Sequence, residues 1–71
     1  MDIQIGYVDG TTSDFKNINE IYQINSNCTK DKIDPKLDII DNNKTYQLIS
    51  ENLSCTLYLN KENVSYTLIR F

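Results

Sequence analysis

Apolar and more polar residues alternate without a break through one stretch near the C-terminal end of the chain. The apolar set is Leu53, Cys55, Leu57 and Leu59. Successive side chains of a β-strand point to opposite faces of the sheet, so strict alternation is typical of a strand with one buried face. The stretch therefore predicts a β-strand over residues 53–59.

Two short connections relate this strand to its neighbours. A loop at 60–63 places Leu57 opposite Tyr66, and a tight turn at 51–52 places Leu57 opposite Tyr46. The same registers pair Leu59 with Val64, Cys55 with Leu68, and Leu48 with Cys55. A shift of one residue would turn a whole apolar set to the other face, so the agreement between the two turns favours this register.

A third turn is predicted at Asn42-Asn43, because Asn tolerates the positive φ of tight hairpin turns. This turn pairs Ile39 with Tyr46 and Leu37 with Leu48, and it brings Asp41 beside Lys44. The three turns together predict a four-stranded antiparallel meander over residues 37–71.

The N-terminal residues also alternate. Ile3, Ile5 and Tyr7 are spaced by polar or small residues, and the dipeptide Asp9-Gly10 that follows is a strong hairpin signal. We therefore expect a first strand over residues 2–8.

The segment 11–25 has two interpretations. Its β-branched apolar residues and three Asn favour an irregular strand that pairs with the first strand, which is the interpretation we prefer. The alternative is a helix over 13–24, capped by Ser13. Four apolar residues recur there at helical spacing: Phe15, Ile18, Ile21 and Tyr22.

Residues 26–36 are polar and mixed in charge, and we expect them to form the longest connection in the chain. Asp34-Pro35 suits the start of a helical turn that would include Leu37 and Ile40. We expect a strand from residue 37 instead, because the register of the later hairpins continues through it.

These patterns predict an all-β fold for a single domain, residues 1–71. The expected architecture is a small antiparallel sheet or partly open barrel of five to six strands with a C-terminal four-stranded meander. The alternative is an α+β fold with a helix at 13–24.

Composition excludes much chemistry. The chain has no His, which removes catalytic triads, His–metal sites and His acid–base catalysis. Two Cys alone cannot complete a structural zinc site, and two Gly do not make a phosphate-binding loop. We expect no catalytic residue, no cofactor and no metal site, and hence not an enzyme. Cys28 and Cys55 are either a disulfide or two unrelated thiols, and the sequence leaves both open.

Charge is uneven along the chain. Residues 1–27 hold four acids against Lys16 alone, a net of −3, and residues 28–71 hold six acids and six bases. The acids are Asp2, Asp9, Asp14 and Glu20. An acidic chain does not suit direct binding of nucleic acid, which needs clustered Lys and Arg. It does suit a basic protein surface.

The predicted sheet also carries apolar residues on the face opposite its core, where a cover or a partner is expected. They are Ile40, Ile49, Tyr58, Ile69 and Phe71. In the predicted register Ile49 and Ile69 flank Ser54.

We therefore predict a small acidic protein-binding module that inhibits or modulates a basic or nucleic-acid-binding protein. We expect the module itself to come from a bacterium, phage or virus. The predicted partner-binding residues are Asp9, Asp14, Glu20, Ile49, Tyr58, Ile69 and Phe71. The alternative is a structural subunit that forms a homodimer through a strand edge, such as residues 64–71, or through the apolar patch. The acidic start of the chain and the absence of a membrane-length apolar run predict either a cytoplasmic protein or one from which a leader has been removed. We expect a cytoplasmic protein without membrane contact.

Overall fold

A computed structural model of the protein describes residues 1–38 and 40–71. These residues form seven β-strands: β1 (Asp2–Tyr7), β2 (Thr12–Phe15), β3 (Glu20–Ile24), β4 (Lys30–Ile33), β5 (Thr45–Ile49), β6 (Ser54–Tyr58) and β7 (Val64–Arg70). They build a three-stranded sheet in the order β2-β1-β7 and a four-stranded sheet in the order β4-β3-β5-β6, with antiparallel pairing throughout. The all-β class and a four-stranded antiparallel sheet are confirmed. The described residues form seven strands where five to six were predicted, and the alternative of a helix at 13–24 is wrong.

The first hairpin forms as predicted. Its turn contains Gly10 at φ +88°, a conformation that L side chains rarely adopt. The Asp9 carboxylate accepts hydrogen bonds from the Thr11 N–H at 2.9 Å and the Thr11 hydroxyl at 2.6 Å. These bonds hold the turn that returns the chain from β1 to β2.

Residues 16–19 carry the chain from one sheet to the other. Asn17 has φ +56°, and beyond it the Ile18 N–H donates to the Met1 carbonyl at 2.8 Å. The Asn19 N–H then donates to Ile49 of the second sheet, also at 2.8 Å. The predicted strand over 11–25 is thus two strands, and only its first part pairs with β1.

The hairpin between β5 and β6 has the predicted register. Tyr46 pairs with Leu57, Leu48 pairs with Cys55, and the Ser50 N–H closes the turn on the Leu53 carbonyl at 2.8 Å. This turn is local, so the sequence pattern was sufficient to define it.

The predicted pairing of β6 with residues 64–70 is wrong, because β7 pairs with β1 instead. A bulge near the start of β7 also changes the direction of its side chains: Tyr7 pairs with Val64, but Gly6 pairs with Tyr66. Beyond the bulge, Tyr66 is 44% exposed and Leu68 39% exposed, contrary to the predicted core.

Residues 26–44 differ most from the prediction. They contain β4, whose sequence lacks the apolar alternation that would predict a strand, and β4 pairs with β3. The Asp34-Pro35 dipeptide does begin a helical turn: the Leu37 and Asp38 N–H groups donate to the Asp34 carbonyl at 2.9 and 2.7 Å. The strand predicted from residue 37 is therefore wrong.

The pairings predicted for that strand change accordingly. Leu37 is 83% exposed. The position beside Leu48 that was predicted for Leu37 is occupied by Ile21 of β3. A turn is present at Asn42-Asn43, since the Lys44 N–H donates to the Asp41 carbonyl at 3.3 Å, but neither Asn has the positive φ for which it was predicted, and among the described residues the turn does not join two strands. The predicted pairing of Ile39 lies outside the described residues.

The core lies between the inner faces of the two sheets. Its buried residues come from both sheets and from their connections: Ile3, Ile5, Ile18, Ile21, Tyr46, Leu48, Leu59 and Val64. Burial of each such side chain contributes about 1.5–3 kcal/mol. Because the sheets bury their inner faces against each other, their outer faces point away from one another.

Candidate interaction surface

The solvent-facing side of the four-stranded sheet, called the outer face below, gathers aromatic, aliphatic and basic side chains. Residues directly opposite each other in an antiparallel sheet lie on the same face, so the pairing fixes its membership. Its rows are Glu20–Ile49–Ser54, Lys32–Tyr22–Gln47–Thr56 and Lys30–Ile24–Thr45–Tyr58.

Tyr22 and Glu20 are joined within β3. The Tyr22 hydroxyl donates a short hydrogen bond to the Glu20 carboxylate. This bond raises the pKa of the Tyr22 phenol above its ordinary value, because ionisation would break the bond and place two negative charges together. The bond fixes the Tyr22 ring on the outer face.

Gln47 lies in the middle row. Its Nε2 donates to Ser54 Oγ at 3.0 Å. Its Oε1 is buried and has no hydrogen-bond partner among the described residues. An unpaired buried oxygen is uncommon in native proteins.

Tyr58 is the most exposed aromatic residue of the outer face. It is 81% exposed and borders an open depression of about 530 Å³. Ile24, Lys44 and Thr45 also line this depression. The depression offers a shallow apolar contact next to a basic group.

Charge on the outer face differs from that of the chain. Lys30 and Lys32 lie on β4, at one side of the sheet, and the one acid in the three rows is Glu20. The chain as a whole has a net charge of −3. The outer face is therefore locally basic along β4.

The structure brings together three of the predicted partner-binding residues, namely Glu20, Ile49 and Tyr58. Glu20 pairs directly with Ile49, and Tyr58 lies on the same face.

The other predicted residues lie elsewhere. Asp9 is in the first turn, where its carboxylate accepts hydrogen bonds from Thr11. These bonds lower the pKa of Asp9, and the bond from the Thr11 hydroxyl has a larger effect than the bond from the Thr11 N–H. Asp14 lies on the outward side of the three-stranded sheet and accepts from Gln4 Nε2 at 3.0 Å. Asp9, Asp14 and Glu20 therefore do not share one surface.

The predicted apolar patch is also divided. Ile69 pairs with Ile3 and packs against the core, so it does not flank Ser54. Ile40 packs against the core as well. Phe71 is 72% exposed, and the Lys36 ammonium lies 5.5 Å from the centre of its ring. The patch prediction failed because it assumed that β7 joins the sheet of β6.

Tyr22 and Ile24 were missed as members of the surface. Their alternation with Ile21 and Gln23 was a signal that β3 is a strand. A strand was predicted there, but it was paired with the first strand, whereas β3 pairs with β5 in the other sheet.

The two cysteines are separate thiols. Cys28 is exposed in the β3–β4 turn at φ +67°, and Cys55 lies on the inward side of β6. Within residues 1–38 and 40–71, no group of three or more Cys, Asp or Glu side chains is arranged to hold a metal ion.

No protein-family model, curated protein or solved structure matches this chain. The part of the chain that the structure describes has no helix with the length and apolar character to cross a membrane.

Proposed function

We propose that this protein is a small, non-enzymatic protein-binding module that contacts its partner through the outer face. The observation that carries the proposal is the gathering of Tyr22, Ile24, Ile49 and Tyr58 on the solvent side of one sheet. A half-solvated antiparallel sheet ordinarily places polar residues on its outward side. Large apolar and aromatic residues there favour an interaction surface.

The chemistry between these side chains supports contact with a protein. Thr45, Ser54 and Thr56 are short, so they leave a flat surface around the aromatic rings. Tyr is enriched at protein interfaces because its ring is apolar and its hydroxyl forms hydrogen bonds.

The proposal retains an inhibitor or modulator role, in the cytoplasm, for a protein of phage or viral origin. Its target would be a basic or nucleic-acid-binding protein, which the acidic N-terminal third supports. The lysines of β4 instead favour acidic groups on the part of the partner that meets that side. The charge of the partner is therefore a point for experiment.

The first test removes the apolar part of the outer face. Ile49→Ser with Tyr58→Ser should weaken binding roughly tenfold or more, because central apolar and aromatic contacts dominate interface energies. Tyr66→Ser, on the outward side of the other sheet, is the matched control and should bind like the wild type. The partner is isolated by affinity capture from the source cells, and its affinity for each purified variant is measured by calorimetry.

The second part of the test concerns charge. A basic partner should bind more weakly after Glu20→Lys, which reverses the one acid in the rows of the outer face, and its binding should weaken with added salt. Asp9→Lys with Asp14→Lys lies off this face and is the control. Lys30→Glu with Lys32→Glu should strengthen the binding of a basic partner. Weaker binding after the β4 changes, with Glu20→Lys tolerated, would show an acidic partner. Equal binding by Ile49→Ser/Tyr58→Ser and the wild type would contradict the outer face itself.

A further inference from the structure

The open edge of β6 has a backbone pattern that matches a second copy of itself. In the β5–β6 hairpin, the Leu59 N–H donates to the Lys44 carbonyl at 3.1 Å, and the Ser50 N–H donates to the Leu53 carbonyl at 2.8 Å. Because hydrogen-bonded and non-bonded pairs alternate along an antiparallel ladder, the odd-numbered residues of β6 direct their backbone groups to β5. Ser54, Thr56 and Tyr58 therefore direct theirs to the open edge.

These outward groups are available to another strand. β6 is at the edge of its sheet, and all three residues are exposed. Within the described ranges, 1–38 and 40–71, one hydrogen bond reaches their outward N–H and C=O groups, a weak contact of 3.9 Å from Cys55 Sγ to the Thr56 carbonyl. Three N–H and three C=O groups thus remain for pairing.

The other three edge strands carry features that oppose strand addition. β4 has the charges of Lys30, Asp31 and Lys32, and β2 is four residues long and contains Asp14. β7 has a bulge near its start and ends at Arg70. Charges, short length and bulges are the usual protections of a sheet edge, and β6 carries no charge and no bulge and is one residue longer than β2 and β4.

We propose that two copies of this chain associate by antiparallel pairing of β6 with β6, centred on Thr56. In this register Thr56 faces its own counterpart, and Ser54 faces Tyr58 of the second copy. All six outward groups of each strand then find partners. The two four-stranded sheets become one continuous sheet of eight strands.

Charge beyond the ends of β6 supports this register. Glu51 precedes the strand and Lys61 follows it, and both are exposed. The antiparallel arrangement brings the turn that carries Glu51 in one copy towards the turn that carries Lys61 in the other, at both ends of the pairing. β6 itself is uncharged, so no like charges meet between these ends.

The inference goes beyond the proposed function and does not depend on it. Ser54, Thr56 and Tyr58 belong both to the outer face and to the proposed pairing, so the two proposals are measured separately: the dimer with the purified chain alone, and the outer face with a different protein.

The test measures molecular mass against concentration by sedimentation equilibrium under reducing conditions, which exclude a disulfide through Cys28. The wild type should show a monomer–dimer equilibrium. Thr56→Pro should remove the dimer and keep the monomer folded by circular dichroism, because the Thr56 N–H points away from β5. Thr56→Ala keeps the backbone groups and should dimerise like the wild type.

A charge exchange defines the register. Glu51→Lys should weaken the dimer roughly two- to fivefold for each exposed pair, and Glu51→Lys with Lys61→Glu should restore it. A monomer at all concentrations would overturn the proposal. So would a dimer that forms with Thr56→Pro, or a dimer that Glu51→Lys weakens and the double exchange does not restore.

Discussion

Gly6 and Tyr66 fit each other on the outward side of the three-stranded sheet. They are direct cross-strand partners, and a Cβ added to Gly6 would lie 2.0 Å from Cε1 of the Tyr66 ring. The Tyr66 hydroxyl donates to Gln4 Oε1 at 3.2 Å, and Gln4 Nε2 donates in turn to Asp14 at 3.0 Å. The glycine therefore provides the space in which an exposed aromatic ring is held.

We expect Gly6→Ala to displace this ring and to reduce the free energy of unfolding by about 0.5–1 kcal/mol, the usual contribution of a cross-strand aromatic pair. The cost should fall towards zero, or become a gain, when Tyr66→Ala is already present. A double-mutant cycle by urea unfolding measures this coupling. Equal costs in the two backgrounds would show that the ring does not occupy the space above Gly6.

Strand β6 shows how far the local sequence determines which face of the sheet each side chain lies on. Tyr46 is buried opposite Leu57, while Leu57 itself is half-buried against the core and Leu48 is fully buried. The alternation assigned these faces correctly. The predicted pairing of Leu57 with Tyr66 is wrong, because Tyr66 lies on a different sheet, so Leu57 lacks the second core neighbour that was expected.

The loss of stability on truncating a side chain to Ala should therefore increase with the burial of that side chain. Leu48→Ala should cost about 2–5 kcal/mol, which is comparable with the whole stability of about 3–5 kcal/mol that a core of this size supplies. Leu57→Ala should cost less, and Thr56→Ala, which faces solvent, should be tolerated. Chemical denaturation checks the order. If Thr56→Ala were as damaging as Leu48→Ala, the assigned faces of the hairpin would be wrong.

The predictions for β4 and β7 were wrong for separate physical reasons. β4 reads Lys-Asp-Lys-Ile, and its charges protect a sheet edge, so it lacks the apolar alternation of a half-buried strand. β7 has good alternation but bonds to the strand at the other end of the chain, and one bulged residue changes its facing. Neither a distant partner nor a bulge leaves a clear local pattern.

The interaction surface was harder to predict than the fold, because it needs strands from three parts of the chain to be placed in one sheet. Glu20, Ile49 and Tyr58 were selected for charge and exposure, and the structure gathers them. To predict Tyr22 and Ile24 as members of the surface, β3 would have had to be assigned to that sheet. Ile69 and Phe71 were selected from a pairing that does not form. Single-residue chemistry was thus predictable, while the grouping of residues depended on long-range pairing.

Two tyrosines make the stability of the fold depend on pH in the alkaline range. Burial raises the pKa of the Tyr46 phenol, and the Asp41 N–H that donates to its oxygen at 2.8 Å opposes this effect in part. The bond to Glu20 raises the pKa of Tyr22. For both, the folded pKa lies above the ordinary value of 10.0, so the folded state retains protons that the unfolded chain releases.

Stability should therefore be fully present below about pH 10 and should fall as the pH rises through the raised folded pKa values. Urea unfolding across this range measures the slope. Tyr46→Phe should reduce the slope because it removes the buried phenol, and Tyr22→Phe should remove the part that depends on Glu20. High salt is the control, because it screens repulsion among the added negative charges but leaves the burial effect on Tyr46. A slope that disappears in salt and is unchanged in Tyr46→Phe would show that general charge repulsion, rather than the buried phenol, causes alkaline unfolding.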